Sequence, residues 1–287
     1  MSGAVVASAL APLYGSPDHR AEITSEAPLG HLLEVIEERG PFLRVRCEDE
    51  HRAWVHRGHL LLGAEPVFAG WREEAQATSL GAMLAVGSRE RLPVPLGARL
   101  ILGNDGGVRL PDGRVARVVS GRVAQDETLR EESCAMSAAR WAEAFFGGTP
   151  YRWGGITTWG VDCSGLVQAT YRVRGIRLPR DSARQAEVGE PLQATAADGD
   201  FAAGDLLFFG ERGERSGAGG DAGWPRITHV AIADGGGYVV HASAATGGVC
   251  RSPLTGGSAE AVGLRGSFAG ARRVERPPAG GPAGRRG

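Results

Sequence analysis

The chain has 287 residues, 42% of them hydrophobic, and a formal net charge of −1 at pH 7. This length suffices for two or three globular domains. The near-neutral charge argues against a general affinity for nucleic acid or for an anionic membrane surface, so we expect neither as a partner. No run approaches the roughly 18 consecutive apolar residues that a membrane helix needs.

Two features bear on the cellular compartment. The N-terminal apolar run has no basic segment before it and is followed at once by proline and charged residues, which predicts a first strand rather than a signal peptide. The cysteines Cys47, Cys134, Cys163 and Cys250 form no CxxC pair, which argues against a zinc ribbon or a disulfide scaffold. We therefore expect a cytoplasmic protein without metal or cofactor, in which Cys47, Cys134 and Cys250 are buried.

Residues 1–63 alternate short β-rich runs with turn signals, as in "PFLRVRCEDE" and "HRAWVHRGHLL". This spacing predicts a small all-β domain, either a barrel or a curled sheet. Residues 64–126 contain further alternating runs, which we interpret as a second, diverged β domain. Four residues of the first domain recur 63 positions later: Asp49, Ala53, Val55 and Gly58, as Asp112, Ala116, Val118 and Gly121.

The pattern changes after residue 126. One apolar helical face includes Ala138, Trp141 and Phe145, and a second runs from Ser164 to about Gly175. Three apolar β-like runs follow, "GDLLFFG", "ITHVAIADG" and "GYVVHAS". A helix followed by several strands indicates an α+β domain, which we place at 127–275. We expect the Gly-rich segment 211–224 to be a mobile loop and residues 276–287 to be disordered.

Cys163 stands at the predicted start of the second helix, in "VDCSGLV". A cysteine taken alone is more often a small buried core residue than a nucleophile. However, the positive end of a helix and a nearby histidine are the usual means of lowering a thiol pKa, and the thiolate is the form that attacks carbonyl carbon. The backbone N–H at a helix start can also stabilise an oxyanion. Cys163 is therefore a candidate nucleophile.

Two histidines lie in a predicted β-hairpin, "ITHVAIADGGGYVVHAS". If its turn centres on Gly235, His229 lies opposite His241 on one face of the hairpin. One imidazole then contacts the sulfur of Cys163 while the other orients the first. A Cys-His-His zinc site is the competing interpretation, but a single cysteine with two histidines matches the usual zinc ligand sets poorly.

Five motifs in order resemble those of the NlpC family of papain-like cysteine peptidases, which cut bacterial cell-wall peptides: "GTPYRWGG", "VDCSGLV", "LPRDS", "AGDLLFF" and "ITHVAIADGGGYVVHAS". The resemblance covers about residues 133–273. It implies an α+β papain-like domain in which the helix with the cysteine packs on an antiparallel sheet with the two histidines. Residues 1–126 resemble, more weakly, the paired bacterial SH3-like barrels of the γ-D-glutamyl-L-diamino acid endopeptidases in that family.

The resemblance implies a role for each matching residue. Cys163 would be the nucleophile, His229 the base, and His241 the polar residue that orients the base. Acids suit the free amine of L-Ala, and arginine and hydroxyl groups suit the α-carboxylate of D-Glu. Without the resemblance, "LPRDS" is equally well a solvated turn that caps a helix. The implied substrate-binding residues are Tyr151, Asp162, Ser164, Arg180, Asp181 and Ser182.

One position departs from the family pattern. The branch with SH3-like domains has a tyrosine in a "DGYxGW" turn, which closes the pocket and blocks longer stem peptides. This chain has His51 at that place, in "DEHRAWV". We expect His51 to line the substrate pocket, but the restriction to peptides with a free N-terminal L-Ala is less secure.

The leading hypothesis is a cysteine endopeptidase that cuts the γ-D-glutamyl bond to diaminopimelate or lysine in murein peptides of the form L-Ala-γ-D-Glu-diamino acid. Its place would be cell-wall peptide recycling. Two alternatives stay open. One is an amidase or acyltransferase of the same family that acts on a non-murein substrate, and the other is a catalytically inactive peptide-binding protein.

Overall fold

The computed structural model describes residues 3–63, 65–193, 195, 201–211 and 226–274. The predicted mobile loop, apart from its first residue, and the predicted disordered tail lie outside these residues. Among the described residues, no helix has both the length and the apolar composition to cross a membrane.

The N-terminal part is all-β, as predicted. Its strands form one antiparallel sheet, in which β1 lies between β4 and β7, and β6 lies between β2 and β5. Apolar side chains such as Leu13, Leu43 and Val55 are buried in a core of their own. The likeness of this sheet to an SH3-like barrel stays a prediction. The strands are β1 (Gly3–Val6), β2 (Leu10–Tyr14), β3 (Ile23–Pro28), β4 (Leu32–Arg39), β5 (Phe42–Arg46), β6 (Arg52–His56) and β7 (Leu60–Gly63).

The second part begins with a helix that the β pattern did not predict, α1 (Glu65–Glu74). Its Phe68 is buried, and Trp71 Nε1 donates to the Gly30 carbonyl oxygen at 2.8 Å. Packing on the first sheet therefore stabilises this helix. Such packing cannot be predicted from the local sequence. The strands after it close into a four-stranded barrel: β8 (Ala77–Val86), β9 (Glu90–Leu102), β10 (Gly107–Arg109) and β11 (Val115–Gln125).

The third part confirms the predicted α+β class and both predicted helices. Its helices are α2 (Asp126–Cys134), α3 (Ala138–Phe146), α4 (Cys163–Val173), α5 (Ser182–Gln185) and α6 (Ala259–Ser267). Its strands are β12 (Ile156–Thr157), β13 (Gly160–Val161), β14 (Glu190–Pro191), β15 (Leu206–Glu211), β16 (Arg226–Ala233), β17 (Tyr238–Ser243), β18 (Gly248–Pro253) and β19 (Phe268–Arg273). Six of them form an antiparallel sheet in the order β14-β19-β15-β16-β17-β18. Helices α3 and α4 share a buried core with this sheet through Phe146, Leu166 and Phe208.

Strands β16 and β17 form the predicted hairpin, but in another register. Ile232 pairs with Val240, so the turn centres one residue beyond Gly235. The predicted pairing of His229 directly opposite His241 was therefore wrong. Moving the turn centre by one residue shifts every partner by two. Because side chains alternate between faces with a period of two, both histidines still lie on the same face.

The first sheet contacts the third part close to the start of α4. Gly154 has a φ of +76°, and a Cβ there would lie 2.5 Å from the carbonyl oxygen of Ile23 in β3. Only glycine fits this backbone and this close approach. Next to it, Trp153 Nε1 donates to Glu22 Oε1 at 2.6 Å. Strand β3 therefore forms one wall of the region around the start of α4.

Candidate active site

Cys163 is the first residue of α4 and is 7% exposed. Asp162 caps the helix, since its Oδ1 accepts a hydrogen bond from the Gly165 N–H at 2.7 Å. A Cβ on Gly165 would lie 2.1 Å from the carbonyl oxygen of Gly155, so glycine lets the preceding loop approach the first helical turn. The thiol thus stands at the positive end of the helix dipole, as predicted.

The pKa of the thiol differs from the expectation. Burial, and next the charge of Asp162, raises the pKa of Cys163 to about 11. Hydrogen bonds from the backbone N–H groups of Val230 and Ser164 lower this pKa but do not outweigh burial. The expected lowering of the thiol pKa was therefore wrong, and the thiol is protonated at pH 7. Because Val230 follows His229 in β16, the same contact brings the sulfur to the histidine strand.

The two predicted histidines contact each other. His229 Nε2 and His241 Nδ1 lie 2.7 Å apart, and the two rings meet edge to face with centroids 4.9 Å apart. Burial, and next the neighbouring His241, lowers the pKa of His229 to about 3. His229 is therefore neutral at pH 7 and can accept a proton. The structure thus brings the helix of Cys163 and both histidines together.

The hydrogen bonds continue beyond the histidines. His241 Nε2 lies 2.8 Å from Ser252 Oγ in β18, and the Ser252 hydroxyl donates to Glu260 in α6. Because a carboxylate only accepts, Ser252 uses its proton on Glu260 and accepts from His241 Nε2–H. His241 Nδ1 then accepts from His229 Nε2–H, which leaves Nδ1 of neutral His229 without a proton. We call this chain, His229 to His241 to Ser252 to Glu260, the relay.

Asp162 and Arg180 form a buried bidentate ion pair. Nη1 to Oδ1 is 3.0 Å and Nη2 to Oδ2 is 2.6 Å, and the two side chains are 6% and 3% exposed. Arg180 also donates to Ser164 Oγ at 2.8 Å and, across to β3, to Ser25 Oγ at 3.0 Å. The family resemblance implies that Asp162 and Arg180 bind opposite charges of a substrate. In the structure each neutralises the other.

Asp181, Ser182 and His51 lie next to this pair. Asp181 is exposed and precedes α5, which Ser182 begins, but the Asp181 carboxylate makes no capping hydrogen bond. His51 Nε2 lies 3.0 Å from Thr24 Oγ1 in β3. Burial lowers the pKa of His51, while the charges of Asp49 and Asp181 raise it, which places the imidazole within electrostatic reach of Asp181. The His51 turn and the "LPRDS" segment therefore face one another.

Tyr151 lies within electrostatic reach of the thiol. Burial, and next the neighbouring Cys163, raises the pKa of Tyr151 to about 12. The phenol is therefore protonated at pH 7 and keeps a proton that it can donate. Its backbone N–H donates to the Gly247 carbonyl oxygen at 2.8 Å, which fixes the segment beside the turn between β17 and β18.

Glu26, a buried acid of β3 at the same boundary, is not predicted from the sequence. Arg152 donates to its Oε1, and the Ile156 N–H donates to its Oε2 at 3.3 Å. Burial raises the pKa of Glu26, and the charge of Arg152 acts in the opposite direction. Glu26 and Arg152 are 126 positions apart in the sequence, so no local pattern signals their contact.

Cys250 lies opposite His241 in the β17–β18 pairing. A hydrogen bond to the His241 imidazole lowers the pKa of Cys250 to about 7, against the effect of burial. All four cysteines are free, but Cys134 is exposed and Cys47 and Cys250 are half-buried, so the expected burial of these three was wrong. Cys250 and Ser252 are two positions apart in one strand and so lie on the same face. This spacing is the sequence signal from which both residues could have been predicted near His241.

Comparison with known proteins shows which protein family this site is similar to. Residues 148–263 match the model of the NlpC/P60 family. Over 121 residues the chain is 39% identical to a gamma-D-glutamyl-L-lysine dipeptidyl-peptidase of Bacillus subtilis (strain 168). The aligned segment covers 42% of this chain and 33% of the relative. A protein of the same name from Bacillus cereus is 28% identical over 273 residues, 88% of this chain and 75% of the relative. The chain thus spans about a third of the length of the Bacillus subtilis relative.

The fold has a solved counterpart. The crystal structure of an NlpC/P60 family protein from Bacillus cereus superposes with a TM-score of 0.72 at 21% identity, over 95% of this chain and 99% of that one. At this identity the likeness supports the fold. The segment that matches the family model contains Cys163, both histidines and Glu260, so the candidate site lies within it. The chain therefore matches the NlpC/P60 family model over residues 148–263, the segment that carries the candidate site.

Proposed function

We propose that the protein is a cysteine peptidase that hydrolyses the bond between γ-D-glutamate and the diamino acid of murein peptides with a free N-terminal L-alanine, in murein peptide recycling. The observation that carries the proposal is a thiol at the start of α4 beside the strand of His229, whose imidazole is linked to a carboxylate through the relay. Two relatives named gamma-D-glutamyl-L-lysine dipeptidyl-peptidase support the same type of bond.

In the proposed first step, Cys163 Sγ attacks the γ-carbonyl carbon and gives its proton to His229 Nδ1. Both pKa shifts favour the neutral groups, so the proton moves while the bond between sulfur and carbon forms. The imidazolium that results donates through Nε2–H into the relay, which ends in the Glu260 carboxylate. The Cys163 backbone N–H at the helix start donates to the oxyanion.

The remaining steps return the protein to its starting state. The tetrahedral intermediate collapses, and His229 passes its proton to the amine of the diamino acid, which leaves. Water then loses a proton to His229, attacks the thioester and restores the thiol. The protonated phenol of Tyr151 polarises the carbonyl both when the thioester forms and when it is hydrolysed. The whole sequence uses only side chains, backbone amides and water.

For the substrate, we propose that L-Ala-γ-D-Glu lies between β3 and α5. Asp181 is the acid for the L-Ala ammonium, because it is exposed and its carboxylate makes no capping bond. Asp162 is already paired with Arg180 and holds the pocket floor instead. His51 closes the pocket from the first sheet, and the Ser182 hydroxyl is a donor for the D-Glu carboxylate.

Product analysis tests this proposal. The purified protein is incubated with L-Ala-γ-D-Glu-diaminopimelate and the corresponding tetrapeptide, each with a free N-terminus or with a sugar linked to the L-Ala nitrogen. We expect cleavage of both free peptides after γ-D-Glu, and cleavage of the sugar-linked peptides slower by at least about 100-fold, because an amide leaves Asp181 without its charged partner. Equal rates would reject the free-amine requirement.

The two alternatives make different predictions in the same assay. An amidase or acyltransferase for another substrate would leave all four peptides intact, and mass spectrometry would show an acyl-enzyme only with that other substrate. A catalytically inactive peptide-binding protein would bind the peptides without turnover. The complete set of thiol, histidines and relay favours catalysis over binding alone.

Glu260→Gln tests the relay. The variant replaces the charged end of the chain with a neutral acceptor, and hydrogen bonds to charged groups are stronger by about 1 kcal/mol. We expect kcat to fall about three- to tenfold with KM unchanged, because the imidazolium forms only during the reaction. Glu132→Gln, which changes an exposed acid of α2, is the matched control and leaves kcat unchanged. An unaltered kcat in Glu260→Gln would remove Glu260 from the mechanism.

A further inference from the structure

A cluster of possible metal ligands lies at the outer end of the relay. His241, Cys250 and Glu260 each offer one ligand atom, and these atoms all lie within 4.8 Å of one another. His241 and Cys250 are direct cross-strand partners in β17 and β18, so the sheet itself holds two of the three. The third comes from α6, which packs on β18.

The three ligand atoms converge on one point, which the Ser252 hydroxyl now occupies. Ser252 Oγ lies 2.8 Å from His241 Nε2 and 3.6 Å from Cys250 Sγ, and it donates to Glu260. Zinc bonds to nitrogen, sulfur and oxygen are about 2.0 to 2.3 Å long. Rotation of the Ser252 side chain and a contraction of the three ligands by about 1 Å would therefore admit an ion at this point.

Access and ligand chemistry agree with this arrangement. His241 is buried, Cys250 is half-buried and Glu260 is exposed, so an ion reaches the cluster from the solvent side without crossing the core. One imidazole, one thiolate and one carboxylate form a mixed set that suits Zn²⁺ and similar ions rather than Mg²⁺ or Ca²⁺. A water molecule can complete the tetrahedron.

We propose that His241, Cys250 and Glu260 form a binding site for a divalent transition-metal ion such as Zn²⁺, and that the bound ion inhibits the enzyme. On binding, Cys250 releases its proton to solvent and its sulfur bonds to the metal. This site differs from a Cys-His-His zinc site made of Cys163 and both histidines. The nucleophile takes no part in it.

The inhibition follows from the tautomers. A metal on His241 Nε2 uses the lone pair of that nitrogen, so neutral His241 carries its proton on Nδ1. Nδ1–H then donates to His229 Nε2, which lies 2.7 Å away. Neutral His229 must therefore carry its own proton on Nδ1. That nitrogen can no longer accept the proton of Cys163, although both histidines keep their positions.

Cobalt titration tests the site without reference to activity. Co²⁺ bound to a thiolate gives a charge-transfer absorption in the near ultraviolet, and the background variant Cys163→Ala removes the nucleophile as a source of it. We expect the band in Cys163→Ala, the same band in Cys163→Ala/Cys134→Ala, and a loss of at least about tenfold in Co²⁺ affinity together with the band in Cys163→Ala/Cys250→Ala. No band in Cys163→Ala, or an unchanged band without Cys250, would overturn the proposal.

The inhibitory effect rests on the proposed function and is measured separately. With the free tripeptide as substrate, we expect Cys250→Ala to keep the basal rate, because Ser252 Oγ still accepts from His241 Nε2–H without the thiol, and to raise the Zn²⁺ concentration for half inhibition at least about tenfold. Equal inhibition of both proteins would show that Zn²⁺ inhibits without Cys250 and would overturn the inhibitory role. If no peptide is hydrolysed, the proposed function fails while the cobalt result still decides whether the site binds metal.

Discussion

Cys163→Ala is expected to lower kcat/KM for L-Ala-γ-D-Glu-diaminopimelate by at least about 10⁴-fold, because no other group replaces a covalent nucleophile. Alanine fits the site without strain, since the residue is buried among apolar neighbours and its backbone role at the helix start is kept. Loss of activity therefore reports chemistry rather than unfolding. The measurement is steady-state release of diaminopimelate, with circular dichroism to show that the fold is kept.

Cys134→Ala is the matched control, because Cys134 is an exposed free thiol at the end of α2. We expect its activity to equal that of the unaltered protein. Cys163→Ala should still bind the tripeptide, since the pocket residues are untouched, and calorimetry can measure this affinity. Full turnover by Cys163→Ala would exclude the covalent route and with it the proposed function.

Local patterns in the sequence were sufficient to predict the central elements of the site. The helical periodicity after Cys163 predicts α4, and the Gly-rich turn between two β-like runs predicts the β16–β17 hairpin. His229 and His241 lie on the same face as predicted, although the predicted register was wrong. The strand partners shifted by two residues, and an even shift leaves each side chain on its face. Local rules with a fixed period therefore tolerate an error in the exact turn position.

Contacts between distant segments could not be predicted in the same way. Glu26 meets Arg152 across 126 positions, and α6 brings Glu260 to Ser252 only because that helix packs against the sheet. The thiol pKa was also mispredicted, because the helix dipole is a local feature whereas burial depends on the whole fold. Both failures have one cause, since tertiary packing sets the neighbours and the dielectric surroundings of a side chain.

The relay changes how the paired histidines are understood. His229 Nε2 and His241 Nδ1 lie 2.7 Å apart, so the hydrogen bond between them can run in either direction, and only one direction leaves His229 Nδ1 free to accept a proton. Glu260 determines this direction, because its carboxylate can only accept. Each member of the relay therefore donates to the next one toward Glu260, away from the thiol. A charge at the surface thus fixes a proton position in the buried part of the site.

Arg180→Met is expected to lower the free energy of unfolding by about 3 to 5 kcal/mol, since it leaves the buried Asp162 carboxylate without its counter-ion. Methionine keeps much of the volume, so the loss reports charge rather than a cavity. Chemical denaturation followed by tryptophan fluorescence measures the change. In the double variant Arg180→Met/Asp162→Asn the carboxylate is also removed, and we expect it to be less destabilised than the sum of the two single variants.

Arg122→Met is the matched control for the effect of burial. Arg122 and Glu132 also form a bidentate pair, with both N to O distances at 2.7 Å, but their side chains are 45% and 41% exposed. Because water solvates both charges, this substitution should cost less than about 1 kcal/mol. Equal losses in the two variants would mean that the Asp162–Arg180 pair is no more than a surface ion pair in energy. A much larger loss in Arg180→Met would show that burial makes the Asp162–Arg180 pair strongly stabilising. This result would support the pair as the rigid connection between α4 and the first sheet that forms the floor of the proposed pocket.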